Sequence, residues 1–394
     1  MRVIVAGAGL GGLTLAQGLH RAGIDVVVYE KDEERGRPQG VSLHVDDRGT
    51  EALRACLPPG HMAMVEATMG GPRDGTSLLS EVDGELVVAG TRPADGTAGR
   101  RPGRQAQRRL LRAVLLTGLR DRVRFGAAFR RFEELADGRV RVSLADGRTD
   151  TADVLVGADG VGSAVRRQYL PHAEVVDTGR RMVMGATPLR AVAGTGLAAL
   201  LGDNSAAAQV RGMMMALGVH RFTGSPVAAR DRWLPGLPSP VVAEAEDYVM
   251  WCLPLTRDRL GDASSPATVW RLAQGLAAGL HPTLRLVVDK AWPGVTVALR
   301  IGMIPPVPAW PAGPVTVIGD AIHVAPGFGG NLAMQDARRL RDALVAHARG
   351  ERDLLSAIGA AEEAMLRESV LALDESRSAA AAMPVPVPAA GAGA

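Results

Sequence analysis

The stretch Arg2-Val-Ile-Val-Ala-Gly7-Ala-Gly9-Leu10-Gly11-Gly12, with Leu13 to Ala22 and Asp25-Val-Val-Val-Tyr-Glu30 behind it, decides the fold. A β-branched run, a glycine turn, apolar residues at helical spacing and a second β-branched run read as strand, loop, helix, strand. Both strands are near-continuously apolar, as parallel strands buried on both faces are. The spacing Gly7-x-Gly9-x-x-Gly12 lets the chain turn tightly, lets backbone N–H groups approach a pyrophosphate and lets the helix pack on the strands. Glu30, eighteen residues after Gly12, ends the second strand where it can accept hydrogen bonds from an adenosine ribose. The opening predicts a dinucleotide-binding βαβ unit and leaves NAD and FAD both open.

Two later segments repeat the pattern of buried strand followed by carboxylate. Asp153-Val-Leu-Val-Gly-Ala-Asp159-Gly160-Val-Gly-Ser163-Ala-Val-Arg166 runs an apolar strand into Asp-Gly, with Ser163 as cap of a helix carrying Arg166. Alone, it also reads as an ordinary turn. Val315-Thr-Val-Ile-Gly319-Asp320-Ala-Ile-His323-Val-Ala-Pro326-Gly327-Phe328-Gly329-Gly330-Asn331 leads into a helix. Its carboxylate can bind sugar hydroxyls, and its glycines place backbone N–H groups at a helix N-terminus, ready for an electron-rich ring edge or carbonyl.

Elsewhere the pattern changes. Residues 71–99 read as short strands with a hairpin at Asp83-Gly84. Between 179 and 299, Met182–Ala186, Met213–Val219, Tyr248–Leu255 and Val295–Ile301 are strand-like and separated by proline-rich breaks, with one helix at about 267–278. That is a mixed or antiparallel sheet. The expected α/β architecture is a Rossmann-like dinucleotide domain (1–70, 100–178, 300–350) interrupted by a β-sheet substrate domain (71–99, 179–299). A C-terminal helix (351–378) and a low-complexity, disordered tail (379–394) follow.

Composition removes several alternatives. Of 394 residues, 47% are hydrophobic and 22% charged, and no apolar run approaches the length of a membrane span, so a cytoplasmic protein without a membrane partner is expected. The net charge is only +3 and lysine occurs only at positions 31 and 290, with Arg100 to Arg112 the densest basic cluster, so nucleic acid is not an expected partner. Cys56 and Cys252 are far apart, and no His/Cys spacing suggests a metal.

All three motifs, in this order and at these separations, resemble the class A flavoprotein monooxygenases, a family that includes para-hydroxybenzoate-hydroxylase-like enzymes, tetracycline-inactivating monooxygenases and antibiotic-tailoring hydroxylases. The resemblance covers about residues 1–350 and implies a GR2-type FAD domain. It assigns Gly7, Gly9, Leu10, Gly11, Gly12, Glu30 and Lys31 to the ADP half of FAD. Asp159, Gly160 and Arg166 resemble the family's DG fingerprint, which supports the FAD pyrophosphate and NAD(P)H. Gly319 and Asp320 resemble its GD fingerprint, whose aspartate binds the ribityl chain. In Gln107-Arg108-Arg109-Leu-Leu-Arg112 the resemblance points to Arg108, with Arg109 as fallback, reaching the flavin ribityl and phosphate region. Gln39 and Gly40 line one side of the isoalloxazine. Pro326, Gly329, Gly330 and Asn331 lie along its pyrimidine edge and are the candidate catalytic positions. Ile322 departs from the small residue usual before the histidine, and the larger members' C-terminal thioredoxin-like domain is not expected.

What the resemblance implies chemically is reduction of FAD by NADPH or NADH, reaction with O2 to a flavin C4a-hydroperoxide, and oxygen transfer to a small organic substrate. The protein excludes water and stabilises charge developing on the flavin. A bulky, apolar aromatic or polycyclic metabolite from natural-product biosynthesis or antibiotic modification is expected, in a monomer or homodimer. Candidate substrate residues are Arg211, Met213, Met215, His220, Trp251 and Phe328, where methionines would suit a bulky ligand and ordinary packing is the competing reading. No catalytic base stands out; His220, His323 and Arg211 are lone polar residues. Two other functions remain open: an FAD-dependent reductase or dehydrogenase, and a non-catalytic flavin- or ligand-binding protein. A flavin halogenase is disfavoured, because its GWxWxIP-type segment is absent.

Overall fold

The computed structural model describes residues 1–36, 40–73, 75–94, 101–324 and 329–381, with side chains to 374. From the N-terminus come β1 (Arg2–Ala6), α1 (Leu10–Arg21), β2 (Asp25–Tyr29), β3 (Ser42–Asp46), α2 (Asp47–Cys56), α3 (Pro59–Thr68) and β4 (Pro72–Arg73). Then follow β5 (Gly75–Val82), β6 (Glu85–Pro93), β7 (Gly103–Gln107), α4 (Arg108–Leu116), β8 (Val123–Arg124), β9 (Phe129–Glu134), β10 (Val140–Leu144), β11 (Thr149–Ala152), β12 (Val154–Gly157) and α5 (Ala164–Tyr169). The second half carries β13 (Val176–Pro188), β14 (Ser205–Val210), β15 (Met213–His220), β16 (Tyr248–Thr256), α6 (Pro266–Ala277), α7 (Pro282–Asp289), β17 (Val297–Met303), β18 (Val315–Val317), α8 (Gly329–Ala348) and α9 (Leu354–Ala381).

The first strands belong to a five-stranded parallel sheet in the order β18-β12-β1-β2-β8. Val3, Val5, Val26 and Val28 fill the core under α1, while Ile4, Ala6 and Val27 fill the other face with Val140, Leu155 and Val317. Burial on both faces is why these strands carry no polar alternation. Strands about 150 and 313 positions downstream thus rejoin the sheet begun at Arg2, with β12 beside β1 and β18 beside β12.

The second sheet has seven strands, β17-β13-β16-β15-β14-β5-β6, antiparallel except for the parallel pair β14–β5. Its β5–β6 hairpin turns at Asp83 (φ +51°) and Gly84 (φ +83°), the left-handed pair that a two-residue hairpin requires. The expected helix at 267–278 is α6, begun by a capping box between Ser265 and Thr268. A small antiparallel sheet, β3-β7-β4, is joined to α8 through the His44 oxygen and to β16 through Ser42. The helix expected to end near 378 continues to Ala381, so residues 379–381 are helical, and the rest of the expected disordered tail lies outside the described residues.

Candidate active site

Sheet order sets the site. β18, β12 and β1 are adjacent and parallel, so the loops leaving their C-terminal ends open at one edge: Gly7–Gly12, Asp159–Ser163 and Gly319–Asp320. That edge is where open α/β sheets place ligands. In the first loop Gly7 has φ +110°, and a Cβ there would lie 2.4 Å from the Ala158 carbonyl oxygen. A Cβ at Gly12 would lie 2.1 Å from the Gly7 oxygen, whereas one at Gly9 would meet nothing within 4 Å. The loop is therefore closed against the protein and open outward. α1 has no acidic residue in its first turn and no side-chain cap, leaving its N-terminal donors and positive dipole end for an anion.

Glu30 shapes the same loop. Its Oε2 accepts from Ala8 N–H at 2.7 Å, and its Oε1 accepts from Asp32 N–H at 2.9 Å. Lys31 next to it is exposed. Arg112, which sequence reading did not single out, donates from Nε to the Ala8 oxygen (3.2 Å) and from Nη1 to the Glu34 oxygen (2.8 Å). The signal was available, because Arg112 is four residues after Arg108 and shares its helix face.

At the second loop Asp159 Oδ2 accepts from Ala164 N–H (2.7 Å) and Val165 N–H (3.3 Å), while its buried Oδ1 has no protein partner. Ser163 caps α5 as expected, accepting from Arg166 N–H at 2.9 Å. The buried Arg166 guanidinium donates to the oxygens of Ala321 (2.8 Å) and Val161 (2.9 Å), tying the second motif to the third.

In the third motif Gly319 has φ +62°, and its N–H donates to Asp336 Oδ2 at 3.0 Å. The same oxygen lies 2.5 Å from His323 Nε2, with both side chains buried. Burial works against the His323 cation, but Asp336 and then Asp320 outweigh it and hold its pKa above the ordinary value. Burial pushes the Asp320 carboxyl up, against the opposing pull of His323 and Arg108. Arg108 is the arginine near this carboxylate, and burial lowers its pKa. Arg109, the fallback, is exposed and paired with Glu244.

α8 begins at Gly329, where a Cβ would come within 2.4 Å of Asp320 Oδ1, so only glycine lets the carboxylate approach the helix start. A Cβ at Gly330 would collide with Leu43 at 2.6 Å. The Asn331 side chain is a clasp: Nδ2 donates to the His44 oxygen (2.9 Å), and Oδ1 accepts from Asp46 N–H (3.2 Å). It fixes α8 to β3, which leaves its backbone N–H, and not its amide, for a catalytic part. Gln39, Pro326 and Phe328 lie outside the described residues. An outward-facing glycine loop, an Asp159 oxygen without a protein partner and an Asp320 carboxylate beside the start of α8 suit a dinucleotide with a polyhydroxy chain.

Residues 1–193 and 307–363 match the family model described as an FAD binding domain. This chain belongs to the FAD-dependent monooxygenase family. It is 30% identical over 345 residues to the FAD-dependent urate hydroxylase of Klebsiella pneumoniae, covering 86% of this chain and 79% of that protein. It is 29% identical over 401 residues to the dual O-methyltransferase/FAD-dependent monooxygenase elcB of Phaeosphaeria nodorum, covering 91% of this chain and 42% of the relative. The chain thus spans under half the length of the first curated relatives it matches. Klebsiella pneumoniae HpxO complexed with FAD and uric acid superposes with a TM-score of 0.73 at 26% identity, covering 96% of this chain and 87% of that one.

Against this family frame, strand alternation in the seven-stranded sheet moves the candidate substrate wall. Met213, Met215 and Trp251 share a core with Val269, Ala273, Leu284 and Val287 of α6 and α7. Trp251 Nε1 donates to Thr187 Oγ1 at 3.2 Å inside that core. Arg211 sits on the exposed β14–β15 turn with φ +51° and makes a bidentate pair with Glu81. The intervening residues Met214, Gly218, His220, Tyr248, Met250 and Cys252 point to the opposite face, where Gly218 meets Arg73 of β4. Tyr248 and Ser42 hydroxyls meet there at 2.7 Å. Gly40 (φ +97°) sits there too, since its Cβ would lie 2.9 Å from Met184 Sδ. Among the described substrate candidates only His220 is on this face; period-two alternation was legible in the sequence, but which face met the helices was not.

Proposed function

We propose that this chain binds FAD along the β1–β12–β18 edge, takes electrons from NADPH or NADH, and inserts one atom of O2 into a small organic substrate held against the seven-stranded sheet. The observation carrying this reading is the convergence of three distant motifs on one sheet edge, in a chain of the FAD-dependent monooxygenase family.

In this reading Gly7, Gly9, Leu10, Gly11 and Gly12 present backbone donors to the pyrophosphate, Glu30, with Lys31 beside it, serves the adenosine side, and Gln39 lines the isoalloxazine. Arg108, Asp159, Gly160, Arg166, Gly319 and Asp320 hold the middle of the cofactor. Arg166 does so indirectly, by locking two loops together. Gly40 and the start of α8, with Pro326, flank the ring. Bound FAD supplies the electron transfer and oxygen-transfer chemistry. The donors of Gly329, Gly330 and Asn331 at the positive end of α8 stabilise negative charge on the ring edge, and the apolar sheet face excludes water. Asp320, whose carboxyl burial pushes up, is made acceptable at this depth by His323 and Arg108.

The purified protein should be yellow. A substrate panel should stimulate NADPH and O2 consumption together and yield a product heavier by one oxygen atom. Turnover without O2 would instead indicate a reductase, and ligand binding without stimulated NADPH oxidation a non-catalytic protein. Asp320→Ala should abolish stoichiometric FAD; a fully loaded variant would refute the role given to Asp320. The substrate class implied by the fold family is aromatic or polycyclic, from natural-product or antibiotic chemistry.

A further inference from the structure

The two C-terminal helices enclose an open groove that the cofactor reading does not use. α8 and α9 run antiparallel, with Leu332 packed on Ala372 and Leu373 at one end and Arg339 paired with Glu368 at 3.3 Å further along. Beyond that pair lies a groove of about 550 Å³, lined by Ala343 and Ala346 of α8 and by Ala357, Ala360, Ala361 and Ala364 of α9. Methyl groups leave it hollow, and Arg339, Asp342, Glu351 and Arg352 give it a charged rim. Ala343 is about 20 Å along α8 from Gly329, so the groove is separate from the cofactor edge.

The same helix carries the matching ridge. Leu371 is 59% exposed, the most exposed large hydrophobic side chain among the described residues, and its neighbour Val370 is also exposed. Ala357, Ala364 and Leu371 are seven residues apart, so they follow one stripe of α9, with a hole at one end and a knob at the other. Reversed, such a stripe is complementary to itself. A two-fold axis at Ala364 sets a second α9 antiparallel to the first, and Leu371 then stands level with Ala357 of the second copy and with Ala346 beside it in the groove.

The charges agree with that register. Within one chain Ala346 is level with Ala357 and Leu332 with Ala372, so the same axis brings Arg367 level with Asp342 of the second copy and Glu363 level with its Arg339. Arg367, Glu363 and Asp342 are exposed and Arg339 is half-buried. Sliding the helices by one turn loses this match: one direction sets Arg367 against Arg338, and the other sets Glu363 against Asp342.

We propose that α9 and the α8–α9 groove form the contact of a two-fold symmetric homodimer, in which Leu371 of each copy fills the alanine groove of the other. Alanine faces let helix axes approach to about 8 Å, and the contact removes both exposed leucines from water. The proposal does not depend on FAD or on the reaction. It selects the dimer from the two states that the sequence leaves open.

The test uses the full chain. Sedimentation velocity from micromolar to hundreds of micromolar should show a dimer, and Leu371→Asp should shift it to monomer with an unchanged circular dichroism spectrum. Asp342→Arg should weaken the dimer, and the double variant Asp342→Arg/Arg367→Glu should restore it, because the swap rebuilds the opposite-charge pair in both halves. Ala364→Cys tests the axis itself: the residue faces its own copy and should form a disulfide-linked dimer on mild oxidation, whereas Val88→Cys, exposed on β6, should not. The native Cys56 and Cys252 are buried and add no background. A chain that stays monomeric throughout, or a dimer that survives Leu371→Asp and leaves Ala364→Cys uncrosslinked, would overturn the proposal.

Discussion

Asn331→Ala separates a clasp from a catalytic side chain. The wild-type amide makes two hydrogen bonds to β3, a buried one from the Asp46 N–H and a partly buried one to the His44 oxygen, and both partners lose them in the variant. Each buried backbone group left without a partner costs about 1–3 kcal/mol, so the pair sums to about 2–6 kcal/mol, with the lower half favoured if water enters. The methyl also opens space, because a Cβ at Gly49 would lie 2.3 Å from Asn331 Oδ1, showing how tightly α2 packs on the amide. Urea unfolding of the FAD-free protein, followed by both fluorescence and circular dichroism, should show a loss of at least about 2 kcal/mol in the transition that includes α8. FAD affinity should fall as the start of α8 loosens. Turnover per bound FAD, measured at saturating FAD, should stay within about threefold of wild type, since about 0.7 kcal/mol is all that such a change represents. A variant of unchanged stability whose turnover per flavin falls a hundredfold would refute the clasp and return the amide to the chemistry.

The other predictions follow from burial and charge. Met215→Ala empties a site in the sheet–helix core and should cost about 2–5 kcal/mol with KM unchanged, whereas Met250→Ala, on the opposite face, should raise KM with stability and FAD content little altered; the reverse pattern would put the substrate on the helical side. His323 has its pKa raised in the folded state, so its stabilisation is complete below the unfolded value of 6.5 and is lost as pH rises through the native value. Denaturation midpoints measured from pH 6 to 9 should therefore fall on the alkaline side, and His323→Gln should flatten that slope. Burial lifts the Glu362 carboxyl to about 7 despite its bond from Thr316, so ionising it costs stability between the unfolded value of 4.5 and pH 7. Glu362→Gln should be more stable than wild type at pH 8 by about 1–3 kcal/mol and indistinguishable at pH 4; equal stability at pH 8 would show the carboxyl is not strained.

What the sequence disclosed follows from the range over which each signal acts. Gly7, Gly12 and Gly319 were readable because their roles are local: a left-handed φ or a backbone approach at one position leaves glycine as the allowed residue. Ser163 was of the same kind, capping the helix that starts beside it. The interrupted fold was readable because each βα unit ends in a carboxylate after a buried strand, so three local signals summed to one global statement. Asn331 was read as part of a loop beside the ring, and nothing local could disclose that its amide spans 285 residues to Asp46. The same limit hid the burial of Arg73, which sits in a two-residue strand with no periodicity and packs on Gly218 far along the chain. It also misdirected the methionines. Met213 and Met215 alternate with Met214, so the period located a face but not its partner, and the α6–α7 layer that covers the odd-numbered face begins fifty residues later. Cofactor binding here rests on backbone geometry and so leaves a local imprint. Contacts such as that between the Ser42 and Tyr248 hydroxyls, 206 residues apart, meet only in the fold and are read from the structure.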